Sequence, residues 1–444
     1  MKSSAEIPGP FRIPMSPGSG RDAWHGFPVL ASLFLLYFSL GLIGYGNDND
    51  TYGMLKTWSD LFRSGVYSPS RAPGYPLPEI AIGAASQAGG WAASNALSAL
   101  LACGALFFFH RLVRASFGPK AALLSVAATG LNPYFIIAAS SSMDYVYAMF
   151  FFLAGISALA AGRFPASGIL FALCAASRLT YAPLIALAYA AAVLSMPRSG
   201  SGHPAGLGRP MGAFLLFLVL GFCAYLPAWI SMGSAMFHPT LADAPVSLFG
   251  FGGFPSLAAY AIRFVYKNAG LWGYPSFAVL AFAWMAGPII RAFRGKERAG
   301  SAPSGGCVKP IPQGEPPLPA RPVIWAAWAG FFYAEALFFR LPLEINYLMP
   351  VLFLVVFLVN RAPRAKPVLA AIALLQAVQG LVQVDFIEKI YARRSYESVE
   401  ASGVRVRLHA GRGVVWEDAG TRRRAQAHYL RTIVGEATDP EAAP

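Results

Sequence analysis

Residues 27–45 carry no Asp, Glu, Lys or Arg. Similar uncharged apolar blocks recur along the chain, at about the 16 to 22 residues a helix needs to cross roughly 30 Å of hydrocarbon. Backbone polar groups in a bilayer must be satisfied inside the protein, so such blocks fold as helices. The 444 residues are 56 % hydrophobic and 13 % charged, with a mean hydropathy of +0.50. Soluble domains carry about 25 % charged residues, so a water-filled cytosolic enzyme is excluded, as is a disordered or collagen-like chain. The fold class read from this pattern is an all-α polytopic membrane protein.

The blocks predict about eleven spans: 27–45, 92–113, 121–139, 145–161, 166–176, 183–196, 211–232, 275–290, 322–339, 347–359 and 367–384, with an extra short helix at 77–89. The first block is too long for a signal-peptide core, and no small-residue cleavage site follows it, so it reads as a retained span. Residues 1–26 are then a cytoplasmic tail, 27–384 a transmembrane domain and 385–444 an outer-face tail. Cys103, Cys174 and Cys223 lie in apolar blocks and Cys307 in a polar loop. No CxxC pair or disulfide framework is implied.

Orientation follows from the placement of Lys and Arg. With the N-terminus cytoplasmic, most basic residues outside the tail fall on the inner side, including those of the 291–321 loop. The outer connections keep Lys56, Arg63, Arg71, Arg178, Arg263, Lys267 and Arg340. The net charge of +14 therefore reports topology, and nucleic acid is not an expected partner. Asp48, Asp50, Asp60, Glu79, Asp144, Asp243 and Glu344 gather on the outer face. The inner stretch 294–321, rich in Pro, Gly and Ser, reads as a flexible linker. In the tail, Val404–Leu408 and Val414–Trp416 predict a small hairpin, followed by a basic helix near Arg422–Val434. No internal repeat is visible, which gives no support to a carrier built from inverted halves.

The first outer loop, 46–76, holds the most chemistry. Asp48 and Asp50 sit where the first span meets water, and Met54, Leu55, Trp58, Leu61 and Phe62 recur at helical spacing, as in a helix lying along the interface. Arg71 follows, ahead of Pro73, Gly74 and Pro76. Two readings stand. A boundary carboxylate can take a proton from an acceptor while an arginine pairs with a phosphate leaving group; equally, Asp48 and Asp50 can simply cap the interfacial helix.

The run Asp48-x-x-x-Tyr52-Gly53, then Ser70-Arg71-x-Pro73-Gly74-Tyr75-Pro76, resembles the first outer loop of GT-C glycosyltransferases. These polyprenyl-phosphate-sugar-dependent enzymes include protein O-mannosyltransferases and lipid A aminoarabinose transferases. Ser142-x-Asp144 is similar to their second acidic motif, Ser177-Arg178-Leu179-Thr180 to a basic motif, and Arg340 with Tyr347-Leu348-x-Pro350 to a late Arg/Tyr–Pro motif. The resemblance covers about residues 27–359 and leaves out the tail.

The resemblance implies Asp48 as general base, with Asp50 a close rival because Asn49 stands where many members have Glu. It implies Arg71, Arg340 and Arg178 as donor-phosphate ligands, with Tyr52, Tyr75, Asp144 and Tyr347 as further substrate-binding residues. The expected reaction is inverting transfer from a polyprenyl-phosphate-linked sugar to a hydroxyl or amine of a lipid, glycan or protein. It would occur on the outer face of a bacterial cytoplasmic membrane. No cofactor is expected; a divalent cation on Asp48, Asp50 and phosphate oxygens is the secondary option. The competing classes are a multi-pass transporter and an outer-face ligase or polymerase using diphosphate-linked donors. Glu79 reads as a helix-start residue, His110 as an inner-edge anchor and His238 as a loop residue. Glu335, within the ninth span, is either functional or paired with Arg340.

Overall fold

The computed structural model describes residues 26–197, 206–233, 257–283, 320–340, 345–362, 364–387 and 406–435. The helices run α1 Phe27–Gly41, α2 Asn49–Ser64, α3 Pro76–Phe117, α4 Pro119–Gly130, α5 Pro133–Ala139, α6 Tyr145–Ala160, α7 Phe164–Ser177, α8 Ala182–Leu194, α9 Gly208–Met232, α10 Leu257–Trp272, α11 Tyr274–Ala283, α12 Arg321–Arg340, α13 Met349–Val359 and α14 Ala365–Leu381. After these come strands β1 Val382–Ile387 and β2 Val406–Arg412, then α15 Val414–Tyr429, extended by a π-helical turn Leu430–Val434.

Proline sets many of the helix starts. Pro28, Pro76, Pro119, Pro133, Pro165, Pro183 and Pro350 all occupy the first or second helical position, where a missing N–H costs nothing. Among the described residues, three helices are long and apolar enough to cross a membrane by themselves: Pro76–Phe117, Gly208–Met232 and Arg321–Phe339. The pair α4 and α5 passes the same test jointly, bent by 76°. The other apolar helices have 10–17 residues, so eleven full spans are not what the described residues display. A multi-pass helical membrane protein is.

Several expectations change in detail. The expected short helix at 77–89 is the first limb of α3, which breaks at Gly89 and at Gly90, where φ is +59°. The expected 121–139 span bends at Asn132, which caps α5 by accepting from the N–H groups of Tyr134 and Phe135. Its amide also donates to the Leu271 carbonyl at 2.7 Å and to Gln376 Oε1 at 3.1 Å. Helix α10 was not foreseen; Arg263 and Lys267 interrupt its apolar run. The expected tail hairpin is wrong in its partners. Val406–Arg412 pairs antiparallel with Val382–Ile387, while Val414 opens a helix instead of a strand. The fold is thus helical with one two-stranded sheet among the described residues. The 294–319 part of the linker, Asp243, His238 and Glu344 lie outside the described residues.

Among the described residues the main core cluster runs from α1 through α3, α4, α6, α7 and α13 to α14. Small residues permit the close approaches. A Cβ at Gly168 would stand 2.6 Å from the Ala213 carbonyl of α9, and one at Gly155 2.6 Å from the Phe171 ring of α7. The segment after α1 and the starts of α3, α6, α8 and α13 come together through Tyr45, Tyr75, Ser142, Asp144, Arg178 and Tyr347.

Candidate active site

Asp48 ends the first loop as the N-cap of α2, its Oδ1 accepting the Asp50 N–H at 3.0 Å. Burying Tyr52, Met54 and Leu55 fixes the inward face of α2, while Phe62 stays exposed. Helix α2 lies against α3, where Trp58 Nε1 donates to Gln87 Oε1 at 3.0 Å. Asp50 forms an ion pair with Arg71.

Glu79 grips Ser70, the residue before Arg71. This fully buried carboxylate accepts the Ser70 N–H at 2.9 Å, the Ser70 hydroxyl at 2.5 Å and the Tyr67 hydroxyl. Gly74, with φ +97°, leaves no room for a side chain, because a Cβ there would sit 2.8 Å from Pro69 Cβ. The return from α2 to α3 is thereby folded tightly, with Arg71 and Tyr75 on the same turn.

The second acidic segment is tied to the first. The Ser142 N–H donates to the Tyr45 carbonyl at 2.9 Å, and its carbonyl accepts from Thr51 Oγ1 at 2.8 Å. The Ser142 hydroxyl donates to Asn95 Oδ1 at 2.7 Å. Two residues on, the Asp144 carboxylate lies 3.2 Å from Arg178 Nε, and both side chains are buried. The Arg178 guanidinium faces three aromatic rings: Tyr145 at 4.0 Å, Tyr347 at 5.0 Å and Tyr75 at 5.6 Å from their centroids. Cation–π contact compensates part of the desolvation of a buried arginine. Arg178 Nη1, also buried, has no hydrogen-bond partner among the described residues.

Tyr75, whose ring lies beside Arg178, senses both ion pairs. Burial pushes its phenol up to about 12, and the charges of Arg178, Asp144, Asp50 and Arg71 all act on it. The structure therefore brings together Asp50, Arg71, Tyr75, Asp144, Arg178 and Tyr347. Asp48 lies at the edge of this group as a helix cap. Tyr52 is turned inward: its hydroxyl donates to the Gly46 carbonyl at 2.9 Å, and its ring packs 5.1 Å from that of Tyr429. Arg340 is the last residue of α12, and its side chain lies outside the described residues. Glu335 takes a hydrogen bond from Asn268 Nδ2 at 2.9 Å.

Sequence reasoning missed the support. Glu79 does stand in the first turn of α3, as expected from the sequence, but Pro78 beside it gave no sign of the loop it grips. Tyr145 follows the acidic motif directly, and an aromatic at that position was the available signal for the arginine stack. Asp418 and Arg422 of α15, on the far side of the first loop, had no local signature beyond an i, i+4 acid–base pair.

Two guanidinium groups, each paired with a carboxylate, stand here with three tyrosines. Paired arginines recognise phosphate oxygens by bidentate hydrogen bonds, and carboxylates beside them can accept protons. Among the described residues no group of three or more His, Cys, Asp or Glu is arranged to hold a metal ion.

Among solved structures, the chain is similar to ArnT from Cupriavidus metallidurans bound to undecaprenyl phosphate, with 15% identity and a TM-score of 0.49. That match covers 79% of this chain and 60% of the other. The apo state of the same protein matches with 16% identity and a TM-score of 0.46, covering 79% and 59%. The chain thus spans less than two thirds of the length of those structures. No protein-family model and no curated protein matches the sequence.

Proposed function

We propose that this protein is an inverting glycosyltransferase that moves a sugar from a polyprenyl-phosphate donor to an acceptor hydroxyl or amine. In this reading it lies in a bacterial cytoplasmic membrane with its site facing outward. The observation that carries the proposal is the pairing of Asp50 with Arg71 and of Asp144 with Arg178, with the Tyr75 ring against the second pair. The pairs meet where an amphipathic helix, α2, returns into the spanning helix α3, so a lipid tail would stay in the bilayer while its head enters the site.

In the reaction, the acceptor oxygen or nitrogen attacks the anomeric carbon opposite the phosphate. The bond from that carbon to the phosphate oxygen breaks, its electron pair leaves with the polyprenyl phosphate, and the configuration inverts. Asp48 receives the acceptor proton. Arg71, steered by Asp50, and Arg178, through its unused Nη1, stabilise the charge developing on the leaving phosphate. Asp144 and the three tyrosines keep Arg178 in place, and the neutral Tyr75 phenol is a hydrogen-bond donor toward phosphate or sugar. The substrate classes follow from the motif resemblance together with this geometry.

Purified full-length protein in nanodiscs is incubated with a panel of polyprenyl-phosphate sugars, and release of polyprenyl phosphate is followed. Release that depends on Arg178 and on Asp48 or Asp50 supports the assignment. No release from any donor, or near-normal turnover in both Asp48→Asn and Asp50→Asn, removes it. Uptake of sugar into proteoliposomes without polyprenyl phosphate release would favour a transporter instead.

A further inference from the structure

Both acidic segments of the site are held from behind by a helix outside the stretch that resembles glycosyltransferases. Arg422 of α15 is 1 % exposed, although its neighbours Arg423 and Arg424 are exposed. Its Nη1 donates to the Leu40 carbonyl at 3.1 Å and the Ser140 carbonyl at 2.6 Å, and Nη2 to Ser140 Oγ at 2.8 Å. Its Nε donates to Asp418 Oδ2 at 2.7 Å. Asp418 then reaches the first loop: Asn47 Nδ2 donates to its carboxylate and to its carbonyl, each at 2.8 Å. One turn further along α15, Gln426 Oε1 accepts the Tyr45 N–H at 3.2 Å.

These contacts fall at telling positions. Asn47 immediately precedes Asp48, and Ser140 opens the turn that leads through Ser142 to Asp144. Leu40 and Ser140 end α1 and α5, where carbonyls outnumber donors and carry the negative end of the helix dipole. The guanidinium is planar, with five donors in a fixed fork, so a single rigid group fixes two helix ends and, through Asp418, a loop. Ionised groups this deeply buried are costly unless fully bonded, and here the acceptors belong to the two segments that bear the acids.

We propose that Arg422 is a positioning residue for the transfer reaction. Through Ser140, and through Asp418 to Asn47, it sets the spacing between the Asp48–Asp50 loop and the Asp144–Arg178 pair. The catalytic consequence rests on the glycosyl-transfer reading; the structural linkage does not.

The test uses the full-length protein in nanodiscs and the variants Arg422→Gln, Arg422→Lys and Asn47→Ala, with Arg423→Gln as an exposed comparison. Hydrogen exchange is read over 45–52 and 139–145, and turnover is read with whichever polyprenyl-phosphate sugar the wild type uses. Arg422→Gln is expected to speed exchange in both segments while α6 and α7 keep wild-type protection. It lowers kcat by roughly 10- to 100-fold, the scale of a displacement of about 1 Å, with the donor KM little changed. Arg422→Lys restores part of kcat, Asn47→Ala speeds exchange in 45–52 alone, and Arg423→Gln behaves as wild type. Unchanged exchange in both segments of Arg422→Gln overturns the proposal. If that variant loses protection throughout, Asn47→Ala decides, and wild-type exchange over 45–52 then overturns it. If the wild type releases no polyprenyl phosphate, the glycosyl-transfer reading fails while the exchange data still judge the linkage.

Discussion

The Arg178 guanidinium carbon stands 4.0 Å from the centroid of the Tyr145 ring, and Tyr145 directly follows the aspartate that faces Arg178 Nε. A buried cation is thus held by an ion pair on one edge and an aromatic face on another. Removing the carboxylate leaves the charge uncompensated. Asp144→Ala is expected to cost about 3–5 kcal/mol of stability. Arg178→Lys keeps the charge but loses the fork and the stacking, so it should fold yet, on the proposed reading, hold a polyprenyl phosphate weakly. Thermal unfolding in detergent and lipid binding by native mass spectrometry separate the two effects.

Asp48 has a capping role that can be divided from any chemical one. Asn caps a helix about as well as Asp, whereas Ala loses about 1 kcal/mol. Asp48→Asn should therefore melt like the wild type and fail to transfer sugar. Asp48→Ala should both melt earlier and fail. An Asp48→Asn protein that melts early would show that the carboxylate charge, beyond its cap, supports the fold.

Glu79 satisfies three donors from inside the protein. Glu79→Ala leaves them without an acceptor, with an expected loss of about 3 kcal/mol. Arg71 is released with Ser70, so transfer should fall even at temperatures where the protein stays folded. Glu79→Gln keeps two acceptor bonds and should lose less on both counts.

High pH should act through the loop tyrosines. Burial, the leading cause in each case, raises the phenols of Tyr52, Tyr67 and Tyr75, the last to about 12 from an ordinary 10.0. The folded chain then keeps protons that the unfolded chain gives up above pH 10. Stability is therefore unaffected by these groups below about pH 10 and declines between 10 and 12. Absorbance at 295 nm during alkaline titration should show their ionisation coinciding with unfolding.

Gly83 lets α2 rest on α3. An added Cβ would stand 2.1 Å from Trp58 Cβ and 2.2 Å from its Cγ, the stem of the side chain and not a flexible tip. Gly83→Ala should lift α2 at a cost of about 1–3 kcal/mol. Faster hydrogen exchange across α2, with α6 unchanged, checks this.

Apolar runs and periodicity located most of this fold because both act locally. The spacing of Met54 and Leu55 marked the inward face of α2, and the uncharged blocks marked most of the apolar helices. The pairing of Val382–Ile387 with Val406–Arg412 was hidden by its long connection, and the nearer Val414–Trp416 looked the better partner. Helix α10 escaped because Arg263 and Lys267 break its hydropathy. The site divides in the same way. Asp50, Arg71, Tyr75, Asp144, Arg178 and Tyr347 could be picked out by motif, and they meet. Their buttresses could not. Nothing within Arg422-Arg423-Arg424 says which of three identical side chains turns inward; the carbonyls that select it arrive from residues 40 and 140.

Helix α5, which follows α4 across a 76° bend, is capped at its C-terminus by Ser140, whose carbonyl accepts from Arg422. A ribosome delivers that arginine nearly three hundred residues after the carbonyl it serves. The Ser140 carbonyl therefore gains this partner only after synthesis has passed through every spanning helix and the strand pair to α15.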